Sequence, residues 1–178
     1  MLFRSGTDRC AETHQKLGHN FDVVINIQGD EPYIHPEQID QVAGCFLQQE
    51  VQISTLVKKV VDLHELNNLN IPKVVLSESG KALYFSRNAI PYCKPEDIDG
   101  LLALGAFHRH IGIYGFKSDV LSQLSALEPV VIEKMESLEQ LRWLAHGFSI
   151  QTATTEHLGH AVDVPEDVTA IERRFPNL

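Results

Sequence analysis

With 178 residues, 43% of them hydrophobic and 22% charged, the chain is sized for one well-buried core and composed like an ordinary globular domain, 1–178. A formal net charge of −9 argues against the basic face that nucleic acid requires, and no apolar run approaches the roughly 20 residues of a membrane helix. Three cysteines, Cys10, Cys45 and Cys93, form no paired framework and no Cys-x-x-Cys spacing, which suits reduced thiols in the cytoplasm.

The predicted elements alternate. Asp8 to Leu17 reads as a short helix. Val23 to Ile27 is a β-branched run that reads as a buried strand, ended by Gln28-Gly29-Asp30-Glu31-Pro32. Pro36 opens a helix with Ile39, Val42, Ala43, Phe46 and Leu47 on one apolar face. Val51 to Val57 returns as a strand, and this strand–helix–strand order predicts a right-handed crossover and a parallel pairing. Lys73 to Leu76 and Ala82 to Phe85 form a hairpin around Ser77-Glu78-Ser79-Gly80-Lys81. Ser86 to Gly105 is expected to be a long loop, and His108 to Phe116 a strong strand. Lys117 to Leu127 and Glu133 to His146 are predicted helices; Met135, Leu138, Leu141 and Ala145 share a face of the second, and Gly147 stops it. Phe148 to Thr154 is a strand and Pro165 to Arg174 a closing helix. The fold class is α/β, a mixed sheet flanked by helices with an inserted β-hairpin.

Several residues can carry chemistry. Asp30 falls past the carboxyl end of a strand, where open α/β sheets bind ligands, and Gly29 lets the backbone approach closely. A carboxylate there suits a hard divalent cation carrying a phosphate, and an Asp-containing turn explains it equally well. Asp163 precedes a proline-opened helix, where capping and the helix dipole already favour aspartate; the functional alternative is a second metal carboxylate opposite Asp30. The period of two places His110, Gly112 and Tyr114 on one strand face and turns Ile111 and Ile113 to the other. Two glycines weaken that strand, which favours a ligand face for polyhydroxylated or carboxylated molecules over an incidental surface. Glu139 and Gln140 flank the buried Leu138 and Leu141, available to a sugar or merely solvated. Arg87 closes the second hairpin strand, where its fork can grip a carboxylate or simply face water. Ser5, Gly6, Thr7 and Arg9 lie in a polar turn opening a helix, able to offer N–H groups and a guanidinium to an anion.

Taken together, Ser5-Gly6-Thr7-Asp8-Arg9, Asn26 to Pro32, Ala82 to Arg87, Ile90-Pro91-Tyr92, His110 to Phe116, Leu138 to Leu144, and Val162-Asp163 with Pro165-Glu166-Asp167 resemble one family. It is 3-deoxy-manno-octulosonate cytidylyltransferase, or CMP-Kdo synthetase, and the likeness runs through nearly the whole chain in the family's order. The resemblance implies a Rossmann-like, GT-A-like nucleotidyltransferase fold. It implies transfer of a cytidylyl group from CTP to 3-deoxy-D-manno-octulosonate (Kdo), releasing pyrophosphate and supplying lipopolysaccharide biosynthesis. It implies Mg2+ on Asp30 and Asp163 as the catalytic metal site, and Kdo contacts from Gln28, Arg87, His110, Tyr114, Glu139 and Gln140. Ser5, Gly6, Thr7 and Arg9 are the expected nucleotide-side residues, CTP and Kdo the substrates, and a homodimer the expected assembly.

Family members begin with a strand and a Gly-, Arg- and Lys-containing loop that cradles the triphosphate, whereas these 178 residues enter the pattern at Ser5. The chain therefore reads as an N-terminally truncated member. The expectation is little turnover by the chain alone, with an open sheet edge that promotes association. The alternatives are a non-catalytic form keeping the sugar half-site and dimer surface, or a cytidylyltransferase for a related acidic sugar.

Overall fold

A computed structural model describes residues 5–18, 21–29 and 34–158. The sheet is built around β5 (His108–Lys117), a ten-residue strand rich in β-branched and aromatic side chains. β2 (Ile53–Lys59) runs antiparallel along one of its edges. The other edge is shared by β3 (Lys73–Leu76) at Arg109 and His108, and by β1 (Val23–Asn26) at residues 114–117, both antiparallel. β4 (Ala82–Ser86) completes the expected hairpin with β3, and β6 (Ile150–Thr154) runs parallel to β2.

The sheet is mixed, as the sequence predicts. The strand–helix–strand unit keeps its parallel sense but not its pairing. β1 and β2 are each antiparallel to β5, so they run in the same direction with β5 inserted between them. No local pattern in residues 23–57 announces a strand contributed from fifty residues further on.

Helices cover both faces. α2 (Pro36–Gly44) lays Val42 over Leu56, Ile111 and Ile113. Its predicted apolar face is only half right, because the chain tightens to a 3-10 turn at Cys45–Leu47, burying Cys45 and leaving Leu47 89% exposed. On the opposite face, α5 (Ser118–Ser125) and α7 (Gln140–Ala145) bury Val120, Leu121, Leu124, Leu141 and Trp143 against Ile53, Tyr114 and Phe116. α1 (Gly6–Leu17) adds Cys10 and Ala11 to that side.

Two expectations are corrected. The predicted loop 86–105 contains a 3-10 turn at Pro95–Asp97 and α4 (Ile98–Ala103), whose Leu101 and Leu102 pack on Val60, Leu66 and Phe107. A further short helix, α3 (Leu63–Asn67), supplies Leu66 to that cluster. The single helix expected over 133–146 is two, α6 (Val131–Glu136) and α7, parted at Ser137, which takes the left-handed φ of 53°. The reason is tertiary. The Glu136 carboxylate accepts from Ser86 Oγ at 2.8 Å and Arg87 N at 2.9 Å, and the Arg87 guanidinium caps the carbonyls of Glu136 and Ser137. Met135 is accordingly turned out to solvent, while Leu138 and Leu141 are buried as predicted. The predicted helix 165–174 lies outside the described residues.

Candidate active site

β5 brings the site together through a break in its own pairing. Thr55 faces Tyr114 and the next residue, Leu56, faces Ile111, so Gly112 and Ile113 bulge from the ladder with β2. Such bulges re-aim side chains beside functional sites. The Thr55 hydroxyl fills the break: its single proton reaches the Ile113 carbonyl at 2.7 Å, and its oxygen stands 2.9 Å from His110 Nε2. A hydroxyl whose proton is engaged can only accept from that nitrogen, so His110 carries its proton on Nε2 and presents Nδ1 as an acceptor.

The alternation read from the sequence holds, but the His110–Tyr114 face is not an open floor. Both residues are buried beneath the α5–α7 side of the core. Burial, helped by Arg109, pushes the His110 pKa down to about 3, so the imidazole is neutral at physiological pH. The Tyr114 ring stands edge-on to Trp143 at 5.0 Å and 5.2 Å from the His110 ring. Burial and the nearby Glu139 carboxylate raise the phenol well above its ordinary range. Its hydroxyl has no hydrogen-bond partner among the described residues, the kind of orphan that a bound polar molecule satisfies.

Gln28 arrives from the end of β1 and donates its amide to the Gly112 carbonyl at 3.3 Å, alongside His110 and Tyr114. From the other side, Glu139 is held by the hydroxyls of Ser5 and Thr7, with Thr7 Oγ1 3.1 Å from Oε2. Burial nonetheless dominates, and the Glu139 pKa is raised. Ser5 also caps α1, its Oγ accepting from Asp8 N at 3.2 Å. Gly6 packs beside the Asn26 amide, where an added Cβ would stand 3.4 Å from Nδ2. Arg9, Cys10, Asn26, Gln28 and Gly29 line a cleft of about 480 Å³ between α1 and β1. The N-terminal turn and the 138–140 segment, distant in sequence, therefore meet at one end of β5.

Arg87 is placed differently from the expectation of a carboxylate grip. Its Nε, Nη1 and Nη2 donate to the carbonyls of Glu136, Leu69 and Ser137 at 2.8, 3.1 and 3.3 Å. The fork thus fixes the turn that delivers Glu139 and Gln140, with two of its five N–H groups remaining. Gln140 is buried at 5% exposure rather than standing on a solvated flank. Asp30 and Asp163 lie outside the described residues. Thr55 was not foreseen; the available signal is the hydroxyl pair Ser54-Thr55, both fully buried, inside the otherwise apolar run Ile53-Ser54-Thr55-Leu56-Val57.

Comparison with known proteins fits this arrangement. A family model described as cytidylyltransferase matches residues 3–152. The 3-deoxy-manno-octulosonate cytidylyltransferase of Cytophaga hutchinsonii is 48% identical over 168 residues, spanning 94% of this chain and 67% of the relative. Its counterpart in Parabacteroides distasonis is 47% identical over 169 residues, spanning 93% and 67%. The chain belongs to the 3-deoxy-manno-octulosonate cytidylyltransferase family.

A solved structure of this family, CMP:2-keto-3-deoxy-manno-octonic acid synthetase complexed with CTP, superposes with a TM-score of 0.85 at 33% identity over 98% of this chain and 69% of that one. A 4-diphosphocytidyl-2C-methyl-D-erythritol synthase from Anaerococcus prevotii superposes with a TM-score of 0.57 at 10% identity, a likeness of fold alone. The chain is thus a nucleotidyltransferase with the family's Rossmann-like fold, and it spans about two thirds of the length of the family members it matches.

Proposed function

We propose that the protein transfers a cytidylyl group from CTP to Kdo, forming CMP-Kdo and pyrophosphate for lipopolysaccharide biosynthesis. What carries this reading is the 48% identity to a 3-deoxy-manno-octulosonate cytidylyltransferase over 94% of the chain. The meeting of Gln28, His110, Tyr114 and Glu139 supports it, because these are the residues assigned to the sugar by resemblance.

In the reaction, the anomeric hydroxyl oxygen of Kdo bonds to the α-phosphorus of CTP while the bond to the pyrophosphate oxygen breaks. The protein's contribution is positioning and charge neutralisation. The neutral His110 accepts a sugar hydroxyl at Nδ1, Tyr114 donates its otherwise unpartnered O–H, and Glu139 and Gln28 complete the polar frame. Arg87 holds the turn carrying Glu139 and Gln140 and turns its remaining N–H groups toward the Kdo carboxylate. Ser5, Gly6, Thr7 and Arg9 face the nucleotide.

Asp30 and Asp163 would hold Mg2+, a hard cation that takes one or two carboxylates together with substrate phosphates. Gln28 and Gly29, which precede Asp30 in sequence, line the rim of the cleft. When bound, the ion supplies charge neutralisation at the phosphates. The protein is proposed to act in the cytoplasm as a homodimer; among the described residues no helix is long and apolar enough to cross a membrane.

The deciding experiment measures pyrophosphate release with CTP, Kdo and magnesium, in a form extended by the N-terminal segment of the Cytophaga hutchinsonii relative. Release that requires Kdo and yields CMP-Kdo is expected. Release without Kdo, or a strong preference for another acidic sugar, overturns the assignment.

A further inference from the structure

Away from the β5 site, a second group of polar side chains converges at the start of α2. His35, Glu37 and His157 each offer one metal-ligating atom, and the three atoms lie within 4.8 Å of one another. The His35 and His157 rings stack with centroids 3.7 Å apart and planes 4° from parallel. His157 Nε2 stands 2.8 Å from Glu37 Oε2, and this contact holds the Glu37 carboxyl below its ordinary range.

The donors sit at the surface, but their backbones are anchored from within. Gln38 is fully buried, and its amide spans the two segments: Oε1 accepts from His35 N at 3.1 Å and Nε2 donates to the His157 carbonyl at 3.5 Å. Thr155, 1% exposed, accepts from His157 N through Oγ1 at 3.2 Å. Buried anchors on both donor-bearing backbone segments hold the two imidazoles and the carboxylate within reach of one another, which distinguishes the cluster from chance neighbours on loose chain. Helix capping accounts for His35, whose Nδ1 accepts from Glu37 N at 3.3 Å. It does not account for a second imidazole stacked on the first and turned to the same carboxylate.

Two imidazoles and a carboxylate form a borderline donor set, suited to Zn2+, Co2+ or Ni2+ and unsuited to Mg2+, which prefers oxygen. We propose that His35, Glu37 and His157 bind a zinc-class divalent cation, with a ligand set that shares no residue with the Asp30–Asp163 pair. On binding, one ring turns about its Cβ–Cγ bond so that the lone pairs converge. The Nε2 proton that His157 shares with Glu37 passes to water, the ring carrying its proton on Nδ1 so that it binds as the neutral imidazole; the carboxylate exchanges that hydrogen bond for the metal, and water completes the shell. The ion would clip the start of α2 to the segment following β6, the stretches that lead in sequence from Asp30 and toward Asp163.

Metal-free protein titrated with Zn2+ by calorimetry should bind one equivalent with micromolar affinity. His35→Ala, His157→Ala and Glu37→Gln should each weaken binding about tenfold or more. His64→Ala, on the exposed surface of α3, should leave it unchanged, and millimolar Mg2+ should not displace the ion. With Co2+ in place of Zn2+, visible bands of four- or five-coordinate intensity should appear and be lost in His157→Ala. Because Glu37→Gln removes only a charge from an exposed side chain, it reports on binding even where a histidine variant folds poorly. Equal affinity in wild type and Glu37→Gln, loss of binding in His64→Ala, or no saturable binding would overturn the site; the second result would mark adventitious chelation elsewhere among the nine histidines.

Discussion

Burial keeps His110 neutral down to about pH 3, whereas an unfolded imidazole gains its proton near pH 6.5. Between those values the unfolded chain binds more protons than the folded one, so stability falls as pH falls through this window. The full difference corresponds to at most about 5 kcal/mol. The melting temperature should therefore drop between pH 6.5 and 4, and His110→Gln, which keeps a partner for Thr55, should flatten that slope. Parallel pH profiles for the two proteins would show that His110 is not the titrating group. Tyr114 makes a complementary case, because its buried hydroxyl lacks a partner among the described residues and such an orphan costs roughly 1–3 kcal/mol. Tyr114→Phe should leave the melting temperature unchanged or raised while increasing the Kdo KM about tenfold, the value of one good hydrogen bond. A destabilised variant with normal KM would make the phenol structural only.

At the level of elements, tertiary contacts decide what propensity leaves open. Arg87 binds the Glu136 and Ser137 carbonyls at the α6–α7 turn, ties them to the Leu69 carbonyl, and so governs where Glu139 is delivered. In a catalytically competent form, Arg87→Ala should raise the Kdo KM well above any change in the CTP KM and lower the melting temperature by several degrees. Arg87→Lys should not restore either, since a point charge cannot reproduce the fork. Equal rises in both KM values would sink the sugar-side role. Gly115 shows a different constraint: a Cβ there would meet Phe46 Cε2 and Ser54 Oγ at 2.7 Å and Val42 Cγ1 at 2.8 Å. Gly115→Ala should destabilise by about 1–3 kcal/mol, measured by chemical denaturation, through forced separation of α2 from the sheet. The sequence made the β3–β4 hairpin, β5 and its two-faced alternation legible, because period-two patterning and turn residues are local signals. It did not reveal the split of 133–146, which depends on hydrogen bonds from a hairpin end fifty residues earlier, or the insertion of β5 between β1 and β2. Gln28, His110, Tyr114 and Glu139 were singled out by sequence and the fold brings them together, whereas Thr55, buried and silent in pattern, became visible only through the bulge it repairs.

For the whole molecule, the question is how much of the reaction the 178 residues support alone. β1 pairs with β5 on one edge, and among the described residues nothing pairs with its other edge. The cleft of about 480 Å³ opens between that strand and α1. An unpaired edge beside an open cleft is a place where another strand of polypeptide fits, and the matched family members are longer, this chain spanning 67% of the first two. Under the proposed assignment, the described residues offer the nucleotide only the Ser5–Asp8 turn and Arg9, a small surface for three phosphates, while the proposed sugar contacts gather around β5. Catalysis of this kind rests on fixed groups that neutralise charge at the phosphates. The 178-residue polypeptide should therefore make little CMP-Kdo and should elute as an associated species, reaching family-like turnover when the relative's N-terminal segment is fused ahead of Ser5. Light scattering and pyrophosphate release, measured on both forms, check this. Robust CTP-dependent turnover by the 178 residues alone would overturn it and assign the phosphate cradle to groups around Arg9.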